Sequence, residues 1–582
     1  MKKTILWGSV LLLVLAGVLL YPRQWYPESW QIKIYTWFGA SAYQKLPPTK
    51  ANEISALAEE PCPPDLQGWR PMQNVEGVEI RASKSCKPDN PYTIAAAIKG
   101  TNRVTHDTLM RSGLAPDTVV MGKDLDGDGD PDEVEIHLEV AELNGGTPDN
   151  YRPVVTYDIA PGVQPSLWVF APKFVGMAVE NFESLRATPL LRAPSPVIRV
   201  EQGDQVKIIL ENTHYFPHTI HFHGVDHPYS VEHAFPHDES MDHAAHGHAK
   251  KTVTIGNDGV PETSELPSMP GQSHIYAFKP RTAGTFFYHC HVQPDIHLAM
   301  GLQGIFVVEP NRRNNWVQTF NIGAGEVRYP SVATKESYDQ EYDMHYQDLD
   351  KDLAELVRRY ADPRLLFEAH RFYDITDRSP DYFLLNGKSF PYTFQESLVV
   401  VKPNQKIKWR VLNGGEKGIS LHTHGFKFTL TDYDGVPAPP GGRIMRDTQW
   451  ISTAQRVDLL LESIDDGLHN DGPGIFMFHD HDEKGFVTDG ISPGGSISAI
   501  AFEEYLDERG FPKTQGDDWK KFFTPEYYAK KTPIWLDYDP SGILGDVEKP
   551  LGRVVRIASL GMVFGALLAV LGALWRTRER RV

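Results

Sequence analysis

This sequence predicts a mostly β protein with two β-rich domains and an apolar segment at each end of the chain. Three observations carry the prediction. Apolar and polar residues alternate through VIRVEQGDQVKIILEN (197–212), SLVVVKPNQKIKWRVLN (397–413) and RVDLLLES (456–463), the pattern of a strand with one buried face, and the Gly203-Asp204 turn in the first predicts a hairpin. Four short clusters contain His-x-His, two in each half of that β-rich region. Helical spacing stands between the halves, in DLDKDLAELVRRYAD (348–362), and reads as part of a connection. The expected domains are 151–312 and 376–510, joined by a linker over 313–375.

From the N-terminus, residues 1–22 come first. Ile5–Tyr21 is apolar, follows Lys2 and Lys3, and has no small-residue cleavage site before Pro22. It reads as an uncleaved signal anchor, with a cleaved signal peptide as the alternative. At the other end a tail (511–553) leads to 554–582, where uncharged Ile557–Trp575 is long enough to cross a bilayer and Arg576, Arg578, Arg580 and Arg581 follow. Basic residues at both ends place both in the cytoplasm. The chain between them is then expected on the periplasmic, extracytoplasmic side of the inner (cytoplasmic) membrane. A formal charge of −18 argues against nucleic acid as a partner.

Residues 23–150 read as a separate extracytoplasmic region. Cys62 and Cys86 lie close together in a Pro-rich stretch, and an oxidising compartment would pair them as a disulfide. The run DLDGDGDPDE places Asp124, Asp126, Asp128 and Asp132 at oxygen-ligand spacing, with Gly129 to turn the loop. Carboxylates in that pattern suit calcium, although no helix pair flanks the loop as in an EF-hand. A solvated acidic loop is the alternative.

The third cysteine, Cys290, sits in YHCHVQPDIHLAMGLQG (288–304). Successive side chains on a strand face opposite sides, so Cys290 serves one site while His289 and His291 serve another. An unpaired thiol outside the cytoplasm is open to oxidation unless something occupies it, and copper would. The His-x-His clusters are PHTIHFHG (217–224), YHCH (288–291), LHTHG (421–425) and FHDH (478–481). Each projects two imidazoles to one face, and imidazole suits copper, zinc, iron and nickel.

These clusters, with DGVPETSELPSMPGQS (258–273) and LLNGKSFPYT (384–393), resemble the copper motifs and connecting segments of multicopper oxidases. That family is built from cupredoxin-like Greek-key β-barrels, and the likeness covers about 151–510. It implies a blue type 1 copper held by His218, Cys290 and His297, with Leu302 at the axial position and Met300 as the alternative. The Cys290–His297 spacing is two residues longer than is common in laccases. It also implies a type 2 copper on His221 and His422. The type 3 pair would sit on His223, His289, His291, His424, His479 and His481, giving four coppers per chain. Asp480 stands where a second type 1 site would need cysteine, and Ile419 where the counterpart of His218 would stand. One type 1 site, in the first domain only, resembles the two-domain oxidases, homotrimers whose trinuclear cluster forms between neighbouring subunits. Copper nitrite reductases are similar. They have aspartate where this chain has His221 and draw one cluster histidine from the second domain, where this chain offers four.

The resemblance implies one-electron oxidation of a donor coupled to four-electron reduction of O₂ to water, with Cys290 on the electron path. Such a reaction consumes protons, and Asp258 and Asp480 are the candidate relay carboxylates; either could instead cap a turn. Between 227 and 248 lie six histidines and Met241, a composition that recruits metal ions. The expected donor is therefore a metal ion, Cu(I) first, then Fe(II) or Mn(II), with phenols as an alternative. That insert could also be a loop that binds metal adventitiously. A nitrite reductase-like enzyme and a non-catalytic copper-binding electron relay are the competing functions.

Overall fold

The computed structural model describes residues 72–80, 90–145, 157–175, 191–225, 230–234, 258–320, 337–359, 373, 375–507, 510–514, 522–529 and 550–579. The apolar segment Ile5–Tyr21, Cys62, Cys86 and most of the insert 227–248 lie outside them.

Two β-sandwiches organise the described chain. In the first, one sheet runs Val119–Met121, Glu133–Leu143, Gln205–Glu211, Ser273–Phe278, Ser230–Ala234, with Leu167–Pro172 also paired to Glu133–Leu143. The facing sheet runs Ile198–Glu201, Gln303–Glu309, Gly284–His289, His221–His223. The second sandwich repeats the plan. One sheet has Tyr382–Leu385, Gln340–Leu349, Lys406–Asn413, Arg456–Glu462, Phe428–Tyr433 and Val436–Pro437, with Ile444–Arg446 on Phe428–Tyr433. The other has Val399–Val401, Ser498–Phe502, Ile475–Asp480, Ile419–Thr423 and Thr448–Ile451. The protein is mostly β, as its alternating sequence requires. Trp168, Phe222, Tyr288, Cys290 and Phe306 pack in the first core, and Trp409, Phe428 and Phe478 in the second.

Three expectations are corrected. The alternation around Gly203-Asp204 predicts a hairpin, but its two strands join opposite sheets. Ile198–Glu201 pairs in parallel with Gln303–Glu309, and Gln205–Glu211 with Glu133–Leu143. Gly203 (φ 102°) allows the turn, and Asp204 Oδ2 accepts the Glu201 N–H at 2.7 Å, so the corner uses hairpin turn chemistry. Second, part of the described chain before 151 belongs to the first sandwich. Glu133–Leu143 lies inside the first sheet, with Ile136 and Leu138 fully buried. Third, the linker span 313–375 contains Gln340–Leu349, paired in parallel with Lys406–Asn413. The spacing over 348–362 does produce a helix, Lys351–Arg359.

Buried charge joins the two sandwiches. Arg199 donates to Asp343 (2.6 Å) and Glu341 (3.2 Å), and Arg410 to Glu341 (2.7 Å), Asp458 (3.2 Å) and Thr285 (2.8 Å). Each of these residues is at most 3% exposed. Desolvating such ions costs several kcal/mol apiece, so the mutual pairing offsets a large penalty. It also fixes the register of one sandwich on the other. The backbones come close as well: a Cβ on Gly284 would stand 2.8 Å from Gly435 Cα.

A C-terminal helix spans Pro550–Glu579. Its stretch Ala558–Arg576 is long and apolar enough to cross a membrane.

Candidate metal centres

The strand Gly284–His289 and the turn after it build the first site. Cys290 continues the strand's alternation inward. Its N–H donates to Leu302 O at 3.0 Å and its side chain is fully buried. A single helical turn, Pro294–His297, absorbs the two extra residues of the loop and brings His297 Nδ1 to 3.4 Å from Cys290 Sγ. His218 Nδ1 lies 3.5 Å from the same sulfur. All three residues are fully buried. Burial pushes the Cys290 thiol up to about 12. Burial, then His297 and His214 beside it, hold His218 well below the ordinary imidazole value. A neutral imidazole is the ligating form, and a bound metal would deprotonate the thiol. Two imidazoles and one thiol converging in this way fit copper in a trigonal setting. Leu302 and Met300 are both buried beside them.

On the opposite face of the strand, His289 pairs in register with His221. His221 Nδ1 donates to Asp258 O, and His289 Nδ1 donates to Cys290 O at 2.9 Å. Carbonyls only accept, so the ring hydrogens sit on Nδ1 and each Nε2 is left as a ligand atom. His223 Nε2 stands 2.9 Å from His289 Nε2, and His221, His223 and His289 form one donor group. His291 joins its edge, its ring 5.5 Å from that of His221. Burial, then His221 and Arg456, push His223 down to about 3.

The second sandwich builds the same arrangement. His422 pairs with His479; His422 Nδ1 donates to Asp447 O (3.0 Å) and His479 Nδ1 to Asp480 O (2.8 Å). His424 Nε2 is 3.3 Å from His479 Nε2, and the His481 ring lies 5.3 Å from that of His422. His424 and His481 are exposed. A cavity of about 290 Å³ opens beside these histidines, lined by His422, His424, Asp447 and His469 among others. Burial pushes His479 down to about 4.

The structure separates the candidate acids from the histidines. Asp258 turns its carboxylate into its own loop, accepting the hydroxyls of Ser264 and Thr263 (2.9 Å) and the Val260 N–H (3.3 Å). Burial alone would raise it, but those donors hold it below the usual carboxylate range. It reaches the histidines through its backbone oxygen. Asp480 lies on the inner face, where Cys290 lies in the first sandwich, and accepts from Ser420 N (2.7 Å) and Asp482 N (3.0 Å). Burial pushes it up to about 6. Of the four acids in the calcium-like loop, Asp124, Asp126 and Asp132 converge. Asp128 is not in that group, and its Oδ1 accepts the Asp130 N–H at 3.4 Å. Sequence reasoning missed three residues. Asp447 holds His422 through a carbonyl, which leaves no side-chain signature. Glu262 Oε2 lies 3.7 Å from His291 Nδ1. His214 touches His218 and stands four residues before it, a spacing that on a turn carries no pattern.

A thiol and two imidazoles converge inside the first sandwich, and paired imidazoles stand on the opposite face of its strand, a donor set that suits copper. Residues 173–312 and 367–487 match the family model described as multicopper oxidase. Those two stretches, a little under half of the chain, are similar to that family of oxidoreductases. It is 28% identical over 116 residues to a multicopper oxidase of Cercospora beticola, covering 20% of this chain and 14% of that protein. It is 23% identical over 318 residues to Laccase-2 of Botryotinia fuckeliana, covering 53% and 45%. The chain thus spans less than half the length of these relatives. A blue copper oxidase from Nitrosomonas europaea resembles it in fold, at 24% identity and a TM-score of 0.43, over 68% of this chain and 92% of that one.

Proposed function

We propose that this chain is a membrane-anchored multicopper oxidase that couples one-electron oxidation of a metal ion, Cu(I) first, to reduction of O₂ to water. One observation carries the reading: Cys290 Sγ faces His218 and His297 while its neighbour His289 faces His221 and His223. Bound copper would supply one-electron redox chemistry at the first set and O₂ reduction at the second. The chain's own part is to hold neutral imidazoles at both sets and to join them through the few covalent bonds between Cys290, His289 and His291. Burial of the first set excludes water and bulky donors from the thiol. Glu262 Oε2 stands 3.7 Å from His291 Nδ1 at the edge of this half-site, where the capped carboxylate of Asp258 does not reach.

The histidines of the two sandwiches form separate donor groups, and those of the second face a cavity. We read each as half of a trinuclear cluster completed by a neighbouring subunit in a homotrimer, giving four coppers per chain. The insert 227–248 supports a metal-ion donor through its six histidines and Met241, and it follows the His221–His223 strand directly in sequence. Asp124, Asp126 and Asp132 would hold a structural calcium, and added calcium should then raise the melting temperature. For the donor, O₂ uptake is compared with Cu(I), Fe(II), Mn(II) and a phenol, with and without 227–248. The reading predicts the fastest uptake with Cu(I) and its selective loss without the insert. Unchanged Cu(I) oxidation in the shortened protein contradicts it.

A further inference from the structure

His218 uses both ring nitrogens. Its Nδ1 faces Cys290 Sγ at 3.5 Å, and its Nε2 lies 2.9 Å from Nδ1 of His214. If Nδ1 is the ligand atom, the hydrogen of a neutral His218 ring sits on Nε2 and is donated to His214 Nδ1. His214 must then carry its own hydrogen on Nε2, which faces Glu142 Oε2 at 3.9 Å. Glu142 is held in turn by the hydroxyls of Tyr215 and Ser166, each at 3.2 Å. The result is a hydrogen bond from the ligand histidine to a second histidine, with the Glu142 carboxylate facing that ring beyond hydrogen-bond distance, inside a core where hydrogen bonds are strengthened by the low dielectric.

We propose that His214 is a positioning residue for the thiol-bearing site: by accepting the His218 Nε2–H it fixes which nitrogen faces Cys290 and makes His218 a stronger donor to copper bound there. The proposal rests on the reading of His218, Cys290 and His297 as a copper site. Its geometry is independent of that reading, because the surroundings pin the His214 ring. The His214 N–H donates to Asn212 Oδ1 at 3.0 Å, and the Asn212 amide donates to Phe216 O and Ser268 O, both at 2.7 Å. Trp168 stands edge-on to His214 at 4.8 Å and to His297 at 5.2 Å, so one indole braces both the relay and the second ligand. The second sandwich has no such pair: Gly415 and Ile419 occupy the corresponding positions. The relay is present only where the thiol is.

Hydrogen-bond partners behind a ligand histidine raise its basicity, and losing one typically weakens metal binding 10- to 100-fold. A more basic imidazole favours oxidised copper over reduced copper. The test uses the full copper-loaded chain and reads the midpoint potential and the blue absorption, not turnover. His214→Phe keeps an aromatic ring against Trp168 but cannot accept. We expect about a tenfold loss in relative preference for oxidised copper, a rise of about 59 mV for one electron, with a shifted blue band. His214→Asn, whose Oδ1 can take the place of Nδ1, should restore most of the original potential. Glu142→Gln, which keeps the shape of the distal partner, should move the potential upward by less. An unchanged potential in His214→Phe overturns the proposal, as does an asparagine variant that shifts as far as the phenylalanine one. If the phenylalanine variant does not fold, an unshifted Glu142→Gln overturns it. A wild-type protein that binds copper without any blue band instead overturns the underlying site reading.

Discussion

The two sandwiches share the backbone support of their paired histidines on one face and differ on the other. In each, a His-x-His strand pairs in register with a second histidine strand, His221 with His289 and His422 with His479. In each, the first histidine is held by an aspartate carbonyl and the second by the carbonyl of the residue after it. On the inner face the first sandwich has His218, His297 and Cys290, whereas the second has Ile419 and Asp480. Strand pairing therefore builds the histidine cluster, and the thiol-bearing donor set is a separate addition to the opposite side of the same strands. Losing the thiol leaves the half-site standing, because none of its supporting bonds passes through the inner side chain.

That comparison gives a graded set of tests. The largest effect is expected from Cys290→Ser, which should abolish the blue band and turnover while about three of four coppers stay bound, the number left by losing one trigonal site. Survival of the blue band would falsify the assignment of Cys290. Next comes the shared interface. Arg199→Leu removes the guanidinium that Asp343 faces at 2.6 Å and leaves Glu341 with Arg410 alone of the two arginines, and should cost about 3–5 kcal/mol in urea unfolding; a loss below about 1 kcal/mol would show that the network does not couple the sandwiches. On the thiol-free side, Asp480→Leu strips two N–H groups of their acceptor. It should cost about 1–3 kcal/mol while the blue band stays unchanged, and a diminished band would mean that the two inner faces are not independent.

The smallest effect concerns His345, whose Nε2 lies 3.1 Å from Gln303 Oε1 across the interface. Burial pushes His345 down to about 3 from an ordinary 6.5. Its folded pKa is depressed, so the stability it contributes is present above about 6.5 and is lost as pH falls toward 3. The unfolded chain then binds the extra proton. The slope is about 1.4 kcal/mol per pH unit for one proton. His345→Gln should flatten the stability–pH curve between pH 6 and 4 by that amount, as read from urea midpoints; an unaltered slope would place the acid sensitivity elsewhere.

The face that repeats was legible in the sequence, and the supports behind it were not. A period of two makes His-x-His a statement about one side of a strand, so all eight half-site histidines and the opposite placement of Cys290 could be read directly. His218 and His297 followed from likeness to a family, since their spacing from Cys290 depends on a helical turn no local pattern dictates. The corner at Gly203-Asp204 was misread because a turn that closes a hairpin and one that switches sheets use the same residues. Strand Glu133–Leu143 was missed although EVEIHLEVAEL alternates cleanly, because its parallel partner, Gln205–Glu211, is far away in sequence. Asp258 was read through its carboxylate, when its carbonyl is what meets His221.

Copper content measured together with the absorption spectrum tests the central claim most directly. One electron-input site and a trinuclear cluster shared between subunits predict four coppers per chain, a blue band and a near-ultraviolet shoulder from the coupled pair. Two coppers per chain, with consumption of nitrite and no such shoulder, would contradict it.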